Sequence, residues 1–129
     1  MKSRVINNLQ SKAVLFCIDD DKCMIISEAL RNIGLTIIIP DRIEYGHRID
    51  FLAGLDNSSP DVQKNCIFEE SELILFSDIT SKQLDNALTA LKKNNVSVRF
   101  KAVITPYNRK FYLSELYEHM YEEEKQFKK

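Results

Sequence analysis

The chain has 129 residues, enough for one domain that buries a core without metal or disulfide staples. Its 44% hydrophobic and 29% charged residues, with only three Gly and three Pro, exclude collagen-like and low-complexity readings. A net charge of −1 creates no field that draws the chain to nucleic acid or anionic lipid, so neither is an expected partner.

Residues 1–12 are polar, lack an apolar signal core, and read as a flexible N-terminal segment of a single domain spanning 1–129. Residues 13–18, Ala-Val-Leu-Phe-Cys-Ile, are a continuous apolar run. It is too short for a helix and suits a strand covered on both faces. The run stops at Asp19, Asp20 and Asp21. A helix follows to about Asn32, with Cys23, Ile26, Leu30 and Ile33 on one face. One of the aspartates is placed to cap it, and Gly34 supplies a left-handed exit. A second strand runs from Leu35 to Ile39 and ends at Pro40.

Ile49, Leu52, Ala53 and Leu55 predict a short helix, and the polar stretch 56–72 predicts a long loop. Leu73 to Phe76 is a third apolar strand. Thr80 and Gln83 have the spacing of a capping box, opening a helix with Leu84, Leu88 and Leu91 on one face. Asn94 and Asn95 end that helix. The fourth strand alternates, with Val96, Val98, Phe100, Ala102 and Ile104 on one side and Ser97, Arg99 and Lys101 on the other, as at a wet edge. The last helix, about Tyr112 to Gln126, carries an apolar stripe of Leu113, Leu116, Tyr117, Met120 and Tyr121. The two halves resemble each other, with Leu30–Leu35 matching Leu91–Val96. Duplication and the shared grammar of βαβ units both account for this.

Strands alternating with helices predict an α/β fold: a four-stranded, mostly parallel sheet with helices on both faces plus a C-terminal helix. The alternative is a ferredoxin-like α+β sandwich. Parallel first and third strands would bring Asp19 and Asp78 to one sheet edge, where open α/β sheets bind ligands. Strands running oppositely would hold these residues at opposite ends.

The candidate ligand-binding residues are Asp19, Asp20, Asp78, Thr105, Tyr107 and Asn108, gathered at strand ends. In a metal-binding alternative, Asp19, Asp20 and Asp78 hold Mg²⁺, a hard ion that takes oxygen ligands. Against this, an aspartate that caps a helix and Asn108 capping the last helix are plain structural roles. His47 and His119 cannot form a histidine-rich metal site. Neither those histidines nor Cys17, Cys23 and Cys66 have an evident catalytic partner, so no catalytic residue and no cofactor is assigned. The odd number of cysteines, with no Cys-x-x-Cys, fits free thiols in a reducing, cytoplasmic setting. No apolar run approaches the roughly 20 residues that span a bilayer.

Residues 16–21 and 75–79 resemble the layout of response-regulator receiver domains, but the expected fifth strand carrying Lys-Pro is missing. The Asp19-x-Asp21 pair resembles haloacid-dehalogenase-type phosphatases, without the residues that usually follow it. A wider resemblance rests on three stretches: Val14-Leu15-Phe16-Cys17 before the acids, Tyr45-Gly46 before Leu52-Ala53-Gly54-Leu55, and 100–108 leading into 114–118. Across about 13–122 the chain resembles the bacterial family called domain of unknown function 3783. That resemblance implies a bacterial cytoplasmic protein, no established activity and no catalytic residues. The expected function is a small binding module for a protein or small molecule, with homodimerisation through an edge strand or the last helix as a further expectation. The Mg²⁺-binding, phosphoryl-handling domain is the alternative.

Overall fold

The computed structural model describes residues 10–55 and 71–127. In chain order these form β1 (Lys12–Phe16), α1 (Asp20–Arg31), β2 (Thr36–Ile38), a 3-10 turn (Arg42–Glu44), α2 (Ile49–Leu52), β3 (Leu73–Ser77), α3 (Ser81–Lys93), β4 (Phe100–Val103) and α4 (Leu113–Phe127). The stretch expected as a long loop lies outside the described residues as far as residue 70, as do Cys66 and residues 1–9. Contacts divide the chain into two compact units, Met1–Ile39 with Ser71–Val103, and Pro40–Glu70 with Ile104–Lys129.

The first unit is an α/β sheet of four strands in the order β2-β1-β3-β4. β1 pairs with β2 and β3 with β4 in parallel, so two of the three pairings match the mostly parallel expectation. The central pairing does not: β1 and β3 run antiparallel, with Lys12 opposite Ser77 and Phe16 opposite Leu73. The sheet is therefore two βαβ units joined back to back. Side chains around it confirm the register. Lys22, in the first turn of α1, forms an ion pair with Glu72, just before β3, at 2.8 Å. Ser11, just before β1, donates its hydroxyl to the Asp78 carbonyl, just past β3, at 2.7 Å.

This pairing also decides where the helices lie. Crossovers between parallel strands are right-handed. Reversing the strand direction while also crossing the sheet the opposite way keeps the helix on the same side. Thus α1 and α3 share one face, packing Ile26, Leu30, Ala87 and Leu91 against Ala13, Leu15, Ile74 and Phe76. The alternate residues Val14, Phe16, Leu73 and Leu75 are also completely buried, as continuous apolar runs require. β4 is an edge, as its alternation predicts. β2 is the other edge, and its three residues are only half-buried, so its apolar run does not mark a central strand. Leu88 is exposed; Ala87 and Leu91 carry the buried face of α3.

The likeness between the halves extends to the backbone. Cys17 and Asp78, each one residue past its strand, take left-handed φ values of +59° and +55°. Asp19 and Thr80 then cap the following helices. Both helices end alike: Leu35 N–H donates to the Leu30 carbonyl at 3.1 Å and Val96 N–H to the Leu91 carbonyl at 3.0 Å. The residue before each of these donors, Gly34 or Asn95, has positive φ. All of these pairs are separated by the same offset. Val14 and Leu75, which pair directly, share it too, so a local two-fold axis passes through the middle of the sheet.

In the second unit an antiparallel bridge joins Arg48 to Tyr112. The N–H groups of Ile49 and Asp50 donate to the carbonyls of Phe111 and Arg109, at 2.8 and 3.1 Å. Along α4, Leu113, Leu116, Tyr117 and Met120 of the predicted stripe are buried, while Tyr121 is half-buried.

Candidate functional site

Asp19 and Asp20 lie past the carboxyl end of β1, and Asp78 lies past the carboxyl end of β3. Because those strands are antiparallel, the two groups stand at opposite ends of the sheet, separated by a five-residue strand rising about 3.3 Å per residue. The expectation that they share one edge is corrected by this register. Asp19, Asp20 and Asp78 therefore cannot hold one Mg²⁺ ion together. Among the described residues, no three His, Cys, Asp or Glu side chains converge as metal ligands do.

Asp19 and Asp78 each have a local role. The Asp19 carboxylate accepts from the Lys22 N–H at 3.0 Å, satisfying one of the free donors of the first turn of α1. Asp20 is exposed in that turn. The Asp78 carboxylate accepts from the Ser77 hydroxyl at 3.2 Å. Its backbone occupies a left-handed conformation that Asp tolerates better than most residues. On α1, burial raises the Cys23 thiol above its ordinary pKa of 9.0, with smaller contributions from the negative charges of Asp20 and Asp19.

Thr105, Tyr107 and Asn108 form one structure, a closed turn in the second unit. The Thr105 hydroxyl accepts from the N–H groups of Tyr107 and Asn108, both at 3.2 Å. In return, the Asn108 side-chain oxygen accepts from the Thr105 N–H at 2.9 Å. Arg109 N–H then donates to the Thr105 carbonyl at 3.0 Å, and Phe111 N–H to the Asn108 carbonyl at 2.9 Å. Asn108 thus closes the turn rather than capping α4; Glu115 accepts from the Tyr112 N–H instead. The turn presents Tyr107, whose surface is 80% exposed. Behind it, Phe111 meets the Tyr107 ring edge-on, with centroids 5.8 Å apart, and stacks on His119 at 4.8 Å.

The turn is anchored by an ionic cluster absent from the sequence-based site. Asp50 is completely buried. Its two oxygens accept from Nε and Nη2 of Arg48, both at 3.1 Å. Arg109 Nε stands 3.8 Å from the same carboxylate, within ion-pair range but too far to hydrogen-bond. A signal for this cluster does exist in the sequence. Asp50 interrupts the apolar string Ile49-Phe51-Leu52-Ala53, and a carboxylate inside an apolar helix needs cations around it. The sequence does not show that Arg109, far along the chain, would be one of them. His47, also in this unit, stacks on Phe51 at 4.2 Å.

Residues 72–127 match the family described as Domain of unknown function (DUF3783). No curated protein and no solved structure matches the chain. Among the described residues no helix is long and apolar enough to cross a membrane.

Proposed function

We propose that this DUF3783-containing chain is a non-catalytic interaction module that binds a protein through the Thr105–Phe111 turn. The observation that carries this reading is the exposure of Tyr107 on a backbone whose polar groups are already bonded to one another. An exposed large ring on a mobile loop loses conformational entropy on binding; on a closed turn that loss is already made. Tyrosine supplies apolar area and one polar tip at low entropic cost, which is why it recurs among the residues that dominate interfaces. Thr105 and Asn108 hold the turn, Tyr107 makes contact, and Phe111 fixes the ring from behind. The partner is a protein surface with an apolar pocket and a hydrogen-bond acceptor at its base.

A photoreactive phenylalanine analogue at position 107, introduced in the host cell, tests this. It is expected to give one discrete cross-linked protein that the same analogue at Leu88 does not. That protein, purified, should bind Tyr107→Ala at least about tenfold more weakly than the wild type, as an interface anchor requires. Identical adducts from both positions, or equal affinity for Tyr107→Ala, would overturn the reading.

A further inference from the structure

The two sheet edges, β2 and β4, each pair in parallel with a central strand, yet they are built differently. β4 and its approach carry Arg99 and exposed Lys101, charges of the kind that keep stray strands from pairing. At the position matching Lys101, which pairs with Ile74 as Ile37 pairs with Ala13, the β2 side has Ile37. From Thr36 to Ile39 there is no charge at all, and Ile39 is 56% exposed. Thr36 N–H donates to the Ser11 carbonyl at 3.0 Å, so Thr36 and Ile38 face β1 while the backbone N–H and C=O of Ile37 face outward. Among the described residues no strand takes that side.

A cavity of about 540 Å³ opens beside the end of this edge, between α1 and Ile39. Ile18, Cys23, Met24 and Ile39 supply its apolar wall, and Met24 is 72% exposed. Asp20 and Glu28 stand on its margin with one cation, Arg31, and Asp19 and Asp21 flank Asp20, so this end of the groove is acidic.

We infer that the β2 edge and this groove receive an extended peptide segment of another protein, which adds as a strand and carries an apolar side chain followed by a basic one. Strand addition takes its affinity from backbone hydrogen bonds and its selectivity from pockets for alternate side chains. Ile37 provides the outward backbone pair, Met24 and Ile39 the apolar seat, and Asp20 with Glu28 the complement to the basic residue. A three-residue edge is too short to bury the roughly 1,200 Å² expected of a stable interface, which favours a short peptide over a second copy of this chain. The inference is independent of the Thr105–Phe111 turn.

The test uses the whole chain and two fluorescein-labelled hexapeptides of alternating valine and isoleucine, one bearing lysines and the other glutamates. The lysine peptide is expected to bind, and the glutamate peptide to bind at least about tenfold more weakly. Ile37→Pro removes the outward N–H but no bond to β1, and Ile39→Arg fills the groove with bulk and like charge. Each should weaken the lysine peptide at least about tenfold, while Ile39→Arg keeps the wild-type circular dichroism spectrum. No binding at millimolar peptide, equal binding of both peptides, or unchanged binding to Ile39→Arg would overturn the inference. So would light scattering that shows a wild-type dimer made monomeric by either variant, because a second copy would then hold the edge.

Discussion

Removing the Asp50 carboxylate probes the cluster that anchors the Thr105–Phe111 turn. In Asp50→Ala, Arg48 loses two charge-assisted hydrogen bonds and two guanidinium groups lose their counter-charge. Breaking a buried pair by deleting one partner costs about 3–5 kcal/mol when the surviving charge is trapped. Here the survivors keep some access to water, since the side chains of Arg48 and Arg109 are 21% and 44% exposed. The loss should therefore fall near the lower limit, about 3 kcal/mol. Arg48→Met is worse, about 4 kcal/mol, because it strands a completely buried carboxylate whose nearest remaining cation forms no hydrogen bond with it. Arg109→Met forfeits only a long, half-exposed ion pair and should cost about 1 kcal/mol or less. Urea unfolding followed by circular dichroism measures all three. An Asp50→Ala loss below about 1 kcal/mol, or an Arg109→Met loss exceeding that of Arg48→Met, would refute the assignment of Arg48 as the principal partner.

Three further outcomes follow from the first unit. Leu75→Ala, at the centre of the sheet, should cost about 2–5 kcal/mol, whereas Ile38→Ala, on the half-buried edge, should cost about 1–2 kcal/mol; equal losses in urea would contradict the strand order. Asp19→Ala and Thr80→Ala remove matching helix caps and should each cost about 1 kcal/mol by the same assay, with a neutral result at either site arguing against its cap. The Cys23 thiol has its pKa raised by folding, so the folded state holds a proton that the unfolded state releases first. Its contribution to stability is complete below the ordinary thiol value of 9.0 and is lost as pH climbs above it. Thermal unfolding from pH 7 to 10 should show an alkaline decline that is smaller in Cys23→Ala; identical curves would remove Cys23 as a cause.

Local grammar made most of the fold legible. The capping box at Thr80, the apolar runs at 13–16 and 73–76 and the wet edge of β4 are all written in neighbouring residues, and each is found in place. What escaped was non-local. Nothing in the runs themselves states the direction in which β3 meets β1, because a strand covered on both faces looks the same in either pairing. That one unknown carried the supposed pocket with it, since the grouping of Asp19 with Asp78 depended on parallel strands. The place of β2 was hidden for a related reason: a run of isoleucines does not itself tell a central strand from an edge, and here it forms an edge. Thr105, Tyr107 and Asn108 were visible as a polar cluster at a strand exit, while their reciprocal bonding and the Asp50 anchor appear only once distant segments meet.

The antiparallel pairing of β1 with β3 underlies the separation of the acidic turns and the shared helix face. Backbone nuclear Overhauser contacts test it directly. Antiparallel strands give cross-peaks from Phe16 to Leu73 and from Lys12 to Ser77. Contacts from Phe16 to Ser77 and from Lys12 to Leu73 would mean parallel strands and would contradict it.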